Sequence, residues 1–225
     1  AIDLLVLKYR TKAQRIAQFT ALHLFVVTLR CDYTCQYCQV SRQTDDKHAF
    51  DMSEETANKS LDLVFRSPSP AIKIEFQGGE PLLNFGLIRY VVNEATRRNA
   101  EYRKDLQFVI TTNLSLLNDE ILHFCQTHNI HLSTSLDGPE ELHNSNRPRP
   151  GKNGYQLTVE GIKSIQNFLG RDKVGALMTT TEKSLSNVKD IIDVYLANNL
   201  DCIFLRPLSP YGFAVKNRQT HKYDI

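Results

Sequence analysis

The chain has no apolar run approaching the roughly 20 residues that a membrane-spanning helix requires. It has no excess of one charge, since 27 Lys and Arg face 25 Asp and Glu, for a formal net charge of +2. So balanced a composition gives no case for nucleic acid or a membrane surface as partner. The N-terminal run Ala-Ile-Asp-Leu-Leu-Val-Leu-Lys lacks the order of charge, apolar block and small-residue cleavage site of a signal peptide. Cysteine is scarce as well, with five in 225 residues, three of them in one short run. An odd cluster in a large chain does not make a disulfide framework. It suits a reducing compartment and metal binding, so the expected location is cytoplasmic. No low-complexity linker divides the chain, and no short solenoid repeat runs through it. The hydrophobic share of 41% and charged share of 23% are ordinary for a globular protein. A chain of this length buries a large core without staples and is compatible with one domain.

What is present is an alternation of strand-like and helix-like runs about every 30 residues. Strands are expected at 22–29, 72–77, 106–111, 130–136, 174–180 and 202–205. Helices are expected from Ser53, whose hydroxyl caps a first turn carrying Glu54 and Glu55, and at 87–97, 118–126, 155–169 and 185–197. Gly170 is placed to terminate the helix before it. Six strand–helix repeats, the last incomplete, imply an α/β fold with a parallel sheet and right-handed crossovers. A partial barrel and an open doubly wound sheet both satisfy this pattern, and both put chemistry at the carboxyl ends of the strands.

The unusual segments all fall at such ends. Cys31, Cys35 and Cys38, spaced C-x3-C-x2-C, follow the first strand. Three thiolates can hold three irons of a [4Fe–4S] cube and leave the fourth iron open to a ligand. Structural zinc sites use four ligands, usually as paired knuckles, and neither Cys125 nor Cys202 has a Cys or His partner at knuckle spacing. Those two are expected to be buried core thiols. His23, His48, His123, His128, His131 and His221 show no metal spacing and are expected to be structural or exposed. Gly78-Gly79-Glu80-Pro81 follows the second strand. Paired glycines let a backbone approach a ligand, and Glu80 offers a carboxylate to a cation such as an ammonium; the plainer reading is a tight turn. Thr112-Asn113, Ser135-Leu-Asp137-Gly-Pro and Arg206-Pro close the third, fourth and sixth strands.

The pattern C-x3-C-x-Tyr-C, Gly-Gly-Glu-Pro, Thr-Asn and Ser-Leu-Asp-Gly-Pro resembles the radical S-adenosylmethionine (SAM) superfamily. The peptide-modifying branch is closest, for it shares Ser-x-Asp-Gly-Pro followed by His and Arg, here His143 and Arg147. The longer blocks LHLFVVTLRC, CQVSR, EFQGGEPLLNF, STSLDGP and IFLRPLSPYGFA resemble the His-Xaa-Ser system maturase, B component, over about residues 20–215. The resemblance implies a partial (β/α)6 barrel, with residues 1–20 as an N-terminal extension, 21–215 as the barrel and 216–225 as a truncated or remodelled tail. It implies that Cys31, Cys35 and Cys38 ligate a [4Fe–4S] cluster whose open iron binds SAM. Gly78, Gly79 and Glu80 would receive the methionyl ammonium, Tyr37 would lie near the adenine, and Asn113 and Ser135 beside the sulfonium and ribose. Arg147 is the candidate for the SAM carboxylate, and Arg206 lies at the rim.

Implied partners are a ribosomally synthesised precursor peptide, a second radical SAM protein of the same system, and an electron donor such as flavodoxin or ferredoxin. The implied chemistry is reductive cleavage of SAM to a 5′-deoxyadenosyl radical that abstracts hydrogen from the peptide. Relatives in this branch usually carry a cysteine-rich C-terminal extension for further clusters, and no cysteines for it follow Cys38 here. With Ala1 in place of Met, a fragment is expected. Two other readings stay open: a sulfatase-maturase-like activase, and a non-catalytic cluster-binding partner subunit.

Overall fold

Along the second strand, Ile72, Ile74 and Phe76 alternate with Lys73, Glu75 and Gln77. The pleat sends the two sets to opposite faces. The apolar set is at most 1% exposed, beneath helices, while the polar set faces an open interior. In the first and third strands too, alternate residues such as Phe25, Val27, Phe108 and Ile110 are buried on the outer face, but the inner face there includes apolar Leu24 and Val109.

The computed structural model describes residues 2–14, 19–209 and 211–217. Its strands are β1 (Leu22–Thr28), β2 (Ala71–Gly78), β3 (Asp105–Thr111), β4 (His131–Ser135), β5 (Val174–Thr179) and β6 (Phe204–Arg206). Its helices are α1 (Ile2–Ala13), α2 (Lys47–Phe50), α3 (Glu54–Phe65), α4 (Phe85–Tyr102), α5 (Asp119–Thr127), α6 (Glu140–Asn146), α7 (Gly154–Phe168), α8 (Glu182–Leu185), α9 (Val188–Ala197) and α10 (Phe213–Lys216). The strands lie in the order β1-β2-β3-β4-β5-β6, each parallel to the next. No pairing joins β6 to β1 among the described residues, so the sheet is a partial barrel. A doubly wound sheet reverses its strand order at a switch point, and this sequential order rules that alternative out. Among the described residues no helix is long and apolar enough to cross a membrane.

Side chains from the outer faces of the strands, including Phe25, Ile74, Phe108, Ile110 and Leu132, share one core with Leu61, Ile88, Val91, Ile121, Ile162 and Ile191 of the helices. Ser53 caps α3 through a 3.2 Å bond from the Thr56 N–H, as expected. Gly170, at φ +116°, stands just past the end of α7. The helix expected at 185–197 is two helices, broken at Ser186-Asn187, and the first is held by reciprocal bonds between Thr181 and Ser184. Cys125 is buried as expected. Cys202 is exposed, because β6 begins only at Phe204 and leaves Cys202 in the loop before it. The expectations for His221 and for residues 218–225 lie outside the described residues.

Candidate functional site

Each strand points its carboxyl end toward one mouth, so the loops that follow the strands meet there. Thr28 ends β1, and Arg30 then turns inward to fork onto Asp51, with Nε–Oδ1 at 2.8 Å and Nη2–Oδ2 at 2.7 Å. This nearly buried pair, which also donates to the Leu83 carbonyl at 2.9 Å, sets where the cysteine loop begins.

Two tyrosines then anchor that loop. Tyr33 is 1% exposed, with the Arg149 guanidinium 5.4 Å from its ring centre. Tyr37 is 7% exposed, packs with Leu208 and Ala214, and donates its hydroxyl to Asp137. The loop backbone is pinned by the Thr34 N–H to Pro148 at 2.7 Å and by the Phe213 N–H to the Cys38 carbonyl at 2.8 Å. Between these anchors Cys31, Cys35 and Cys38 all line one open cavity of about 1040 Å³, its mouth included. Burial pushes the Cys31 thiol well up and the Cys35 thiol to about 11.

Gly78 and Gly79 are required by the protein's own backbone. A β-carbon on Gly78, at φ +141°, would stand 2.0 Å from the Thr28 carbonyl oxygen, and one on Gly79 would stand 2.0 Å from that of Arg30. The close approach lets the Gly79 and Glu80 N–H groups donate to those two carbonyls at 2.8 Å each. The glycine pair thus welds the end of β2 to the start of the cysteine loop, and it also forms cavity wall. Glu80 is 1% exposed. Its carboxylate accepts from the Thr112 hydroxyl at 2.6 Å, the Asn113 N–H at 2.8 Å and the Leu82 N–H at 3.1 Å. Burial raises this carboxyl to about 7, while the three donors pull the other way.

Asn113 gives its side-chain N–H to Asp32 at 2.8 Å, and Asp32 also accepts from the Ser115 hydroxyl at 2.7 Å. Ser135 lines the cavity at the end of β4. Arg147 lines it too, with its fork on the fully buried Asp137: Nε to Oδ2 at 3.1 Å and Nη2 to Oδ1 at 3.2 Å. Its Nη1 has no hydrogen-bond partner among the described residues. Asp137 also takes the Asn146 side-chain N–H at 3.2 Å and the Thr179 N–H at 3.1 Å. Burial works against ionising Asp137, but Arg147 and the other donors carry its carboxyl below the ordinary value. Burial likewise lowers neighbouring His143 to about 4, so its ring is neutral. Arg206, at the end of β6, donates to Gln39 of the cysteine loop.

All the sequence-predicted site residues therefore line one cavity. Asp32, Tyr33, Thr112 and Asp137, which hold the predicted ones in place, were not assigned roles from the sequence. Asp137 stood inside a recognised motif, and Tyr33 was an apolar ring in an otherwise polar loop. Thr112, like Asp137, stood inside a recognised motif, while Asp32 gave no sequence signal, because its partners Asn113 and Ser115 lie far away in the chain.

The donor set fits a [4Fe–4S] cluster and SAM. Soft thiols line one wall, and a buried carboxylate with room for a cation lies on another. Among the described residues no three His, Cys, Asp or Glu side chains are grouped as ligands of a single metal ion. A cube takes one thiolate at each iron and needs its ligands further apart than a single ion does.

An uncharacterised protein of Methanocaldococcus jannaschii is 31% identical over 191 residues, covering 84% of this chain and 63% of the relative. The structure of anSMEcpe with bound AdoMet and a Cp18Cys peptide matches at a TM-score of 0.70 and 18% identity, over 84% of this chain and 51% of that one. Streptococcus suis SuiB bound to its precursor peptide SuiA matches at a TM-score of 0.63 and 17% identity, over 90% of this chain and 43% of that one. The chain therefore spans less than two thirds of each of these proteins. Residues 25–195, which supply all of the cavity lining except Arg206 of β6 and the loop after it, match the family model for the radical SAM superfamily, whose members use a [4Fe–4S] cluster and SAM; the chain belongs to that superfamily.

Proposed function

We propose that this chain is the cofactor-binding core of a peptide maturase of the His-Xaa-Ser type, B component. The observation that carries the proposal is the convergence of thiols, glycine pair, buried carboxylate and arginine on one cavity, from loops far apart in the chain. Similar folds in proteins solved with a peptide bound support the choice of a peptide substrate.

In this reading Cys31, Cys35 and Cys38 hold the cluster. Glu80 accepts the methionyl ammonium, beside the backbone of Gly78 and Gly79. Nη1 of Arg147 meets the carboxylate, and Asp137 keeps the guanidinium in place. Tyr37 flanks the adenine, with Asn113 and Ser135 beside the sulfonium and ribose. When bound, the cluster and SAM supply reductive cleavage to a 5′-deoxyadenosyl radical that takes hydrogen from the substrate. The chain's own part is binding, orientation and exclusion of water. The precursor peptide, a second radical SAM protein and a flavodoxin- or ferredoxin-type donor are the proposed partners.

Anaerobic reconstitution with iron, sulfide, SAM and a reductant should yield 5′-deoxyadenosine and methionine. Cys35→Ala should lose both iron and product. A wild type that binds a cluster and SAM yet yields no 5′-deoxyadenosine would sink the proposal in favour of a non-catalytic partner subunit. Hydrogen abstraction from a sulfatase-type peptide and not from a His-Xaa-Ser peptide would move the assignment to the activase class.

A further inference from the structure

Below the cofactor cavity the inner face of the barrel continues downward into a second open cavity, lined by polar and apolar side chains together. Glu75 and Leu177 are walls of the upper cavity and of a second one beneath it. Glu75 therefore stands where the two meet.

Its carboxylate is held from one side only. Oε1 accepts the Gln77 side-chain N–H at 2.6 Å and the Thr111 hydroxyl at 2.9 Å. Oε2 has no hydrogen-bond partner, and no cation pairs with the carboxylate, among the described residues. The two donors fix where Oε2 points without using it. A half-buried carboxylate with an unused oxygen favours an incoming N–H, above all a charged one. Leu24 of β1 and Val109 of β3 are its register partners on either side. Further along the inner face, Gly175 leaves open space where a β-carbon would project. The lumen at this level thus offers two apolar flanks, one oriented acceptor and room opposite.

The geometry points to Glu75 as a specificity-determining residue that reads a histidine imidazole of the peptide substrate. The ring's carbon edge lies between Leu24 and Val109, and its N–H meets Oε2. A wholly apolar ring of the same shape would leave Oε2 desolvated and without a donor. This inference rests on the peptide-maturase reading and adds the side chain that the barrel interior selects.

The test uses the full chain reconstituted with cluster and SAM. Short labelled peptides carrying His or Phe at one central position are titrated and followed by fluorescence anisotropy. The wild type should bind the His peptide about tenfold more tightly than the Phe peptide, in line with one charge-assisted hydrogen bond. Glu75→Gln should cut that preference to about twofold or less, mainly by weakening the His peptide. Glu75→Leu should reverse it. Cluster absorbance should stay at wild-type level in both variants, since Glu75 is not among the thiol ligands. Equal wild-type affinities for the two peptides, or equal weakening of both by Glu75→Gln, would overturn the role of Glu75 and leave the peptide reading standing. If neither peptide binds the wild type, the peptide reading falls and this inference falls with it.

Discussion

The two faces of the sheet are made by the same strands and have opposite properties. On the outer face Ile72, Ile74 and Phe76 of β2 are sealed under helices. On the inner face Glu75 and Gln77 are partly open and hydrogen-bonded to one another. Core packing and cavity lining are thus divided residue by residue along one strand, and a one-residue slip of register would exchange them. The carboxyl-end rim joins the two. Its Glu80, Thr112 and Asp137 are as buried as the core, so these polar groups need partners.

Substitutions at each level should separate these roles. The largest loss is expected at the rim. Asp137→Ala leaves the buried Arg147 guanidinium without its carboxylate, and about 3–5 kcal/mol of stability should go. Denaturant unfolding of the cluster-free protein measures it, and a loss below about 1 kcal/mol would show that Arg147 finds another partner or water. Next is the outer face: Ile74→Ala, at a fully buried position, should cost about 2–5 kcal/mol. Gln77→Ala on the inner face should cost less than about 1 kcal/mol, and equal costs at the two positions would break the division of the faces.

A smaller effect, on binding and not folding, is expected at Glu80. If Glu80 receives the methionyl ammonium as proposed, Glu80→Gln removes one charge-assisted contact and should weaken SAM about 10- to 100-fold by equilibrium dialysis. The Glu80 carboxyl is raised from its ordinary 4.5 to about 7. Its contribution to stability is therefore full below the ordinary value and is lost as pH rises through about 7. SAM affinity should move the opposite way, improving as pH rises through about 7 and the carboxylate ionises. A flat wild-type profile, or a profile unchanged in Glu80→Gln, would remove Glu80 from the site.

The smallest effect is on the surface, at Glu94, which Arg97 and Arg98 hold down to about 2. A lowered folded value stabilises above the ordinary carboxyl range, and the contribution disappears as pH falls toward 2. Solvent screening limits it to about 1 kcal/mol or less. The difference in stability between wild type and Glu94→Gln should shrink between neutral and acid pH, and a constant difference would mean that the pairs contribute nothing.

Much of this was legible in the chain. Five strands fall where alternation and β-branched composition put them, the sixth begins two residues later than expected, and Ser53 and Gly170 mark their helix ends as expected. Helix α6 was missed because Leu142 is nearly its only apolar contact residue, too little for a period to show. The break at Ser186-Asn187 was missed because apolar residues continue on both sides of it. Cys202 was misplaced because two residues at the end of a short edge strand decide between loop and sheet. At the site, the thiols, the glycine pair, Glu80, Asn113, Ser135 and Arg147 belong to compact motifs that the sequence displays, and all of them line the cavity. Those behind them were not assigned roles, because Asp32 meets Asn113 and Tyr37 meets Asp137 only after the strands align.

Sequence alone determined the α/β alternation, the three thiols within one short loop, the glycine pair, and the placement of chemistry at strand ends. These are local properties, set by backbone sterics, side-chain period and the ligand chemistry of sulfur. Only the tertiary structure decided between barrel and open sheet, because strand order depends on which edges pair. It alone showed that Gly78 and Gly79 serve the junction with Thr28 and Arg30, since that clash is between segments distant in sequence. It also decided that Arg147 answers first to Asp137: a buried charge needs its counter-charge, and which groups are buried together is known only once the chain has folded.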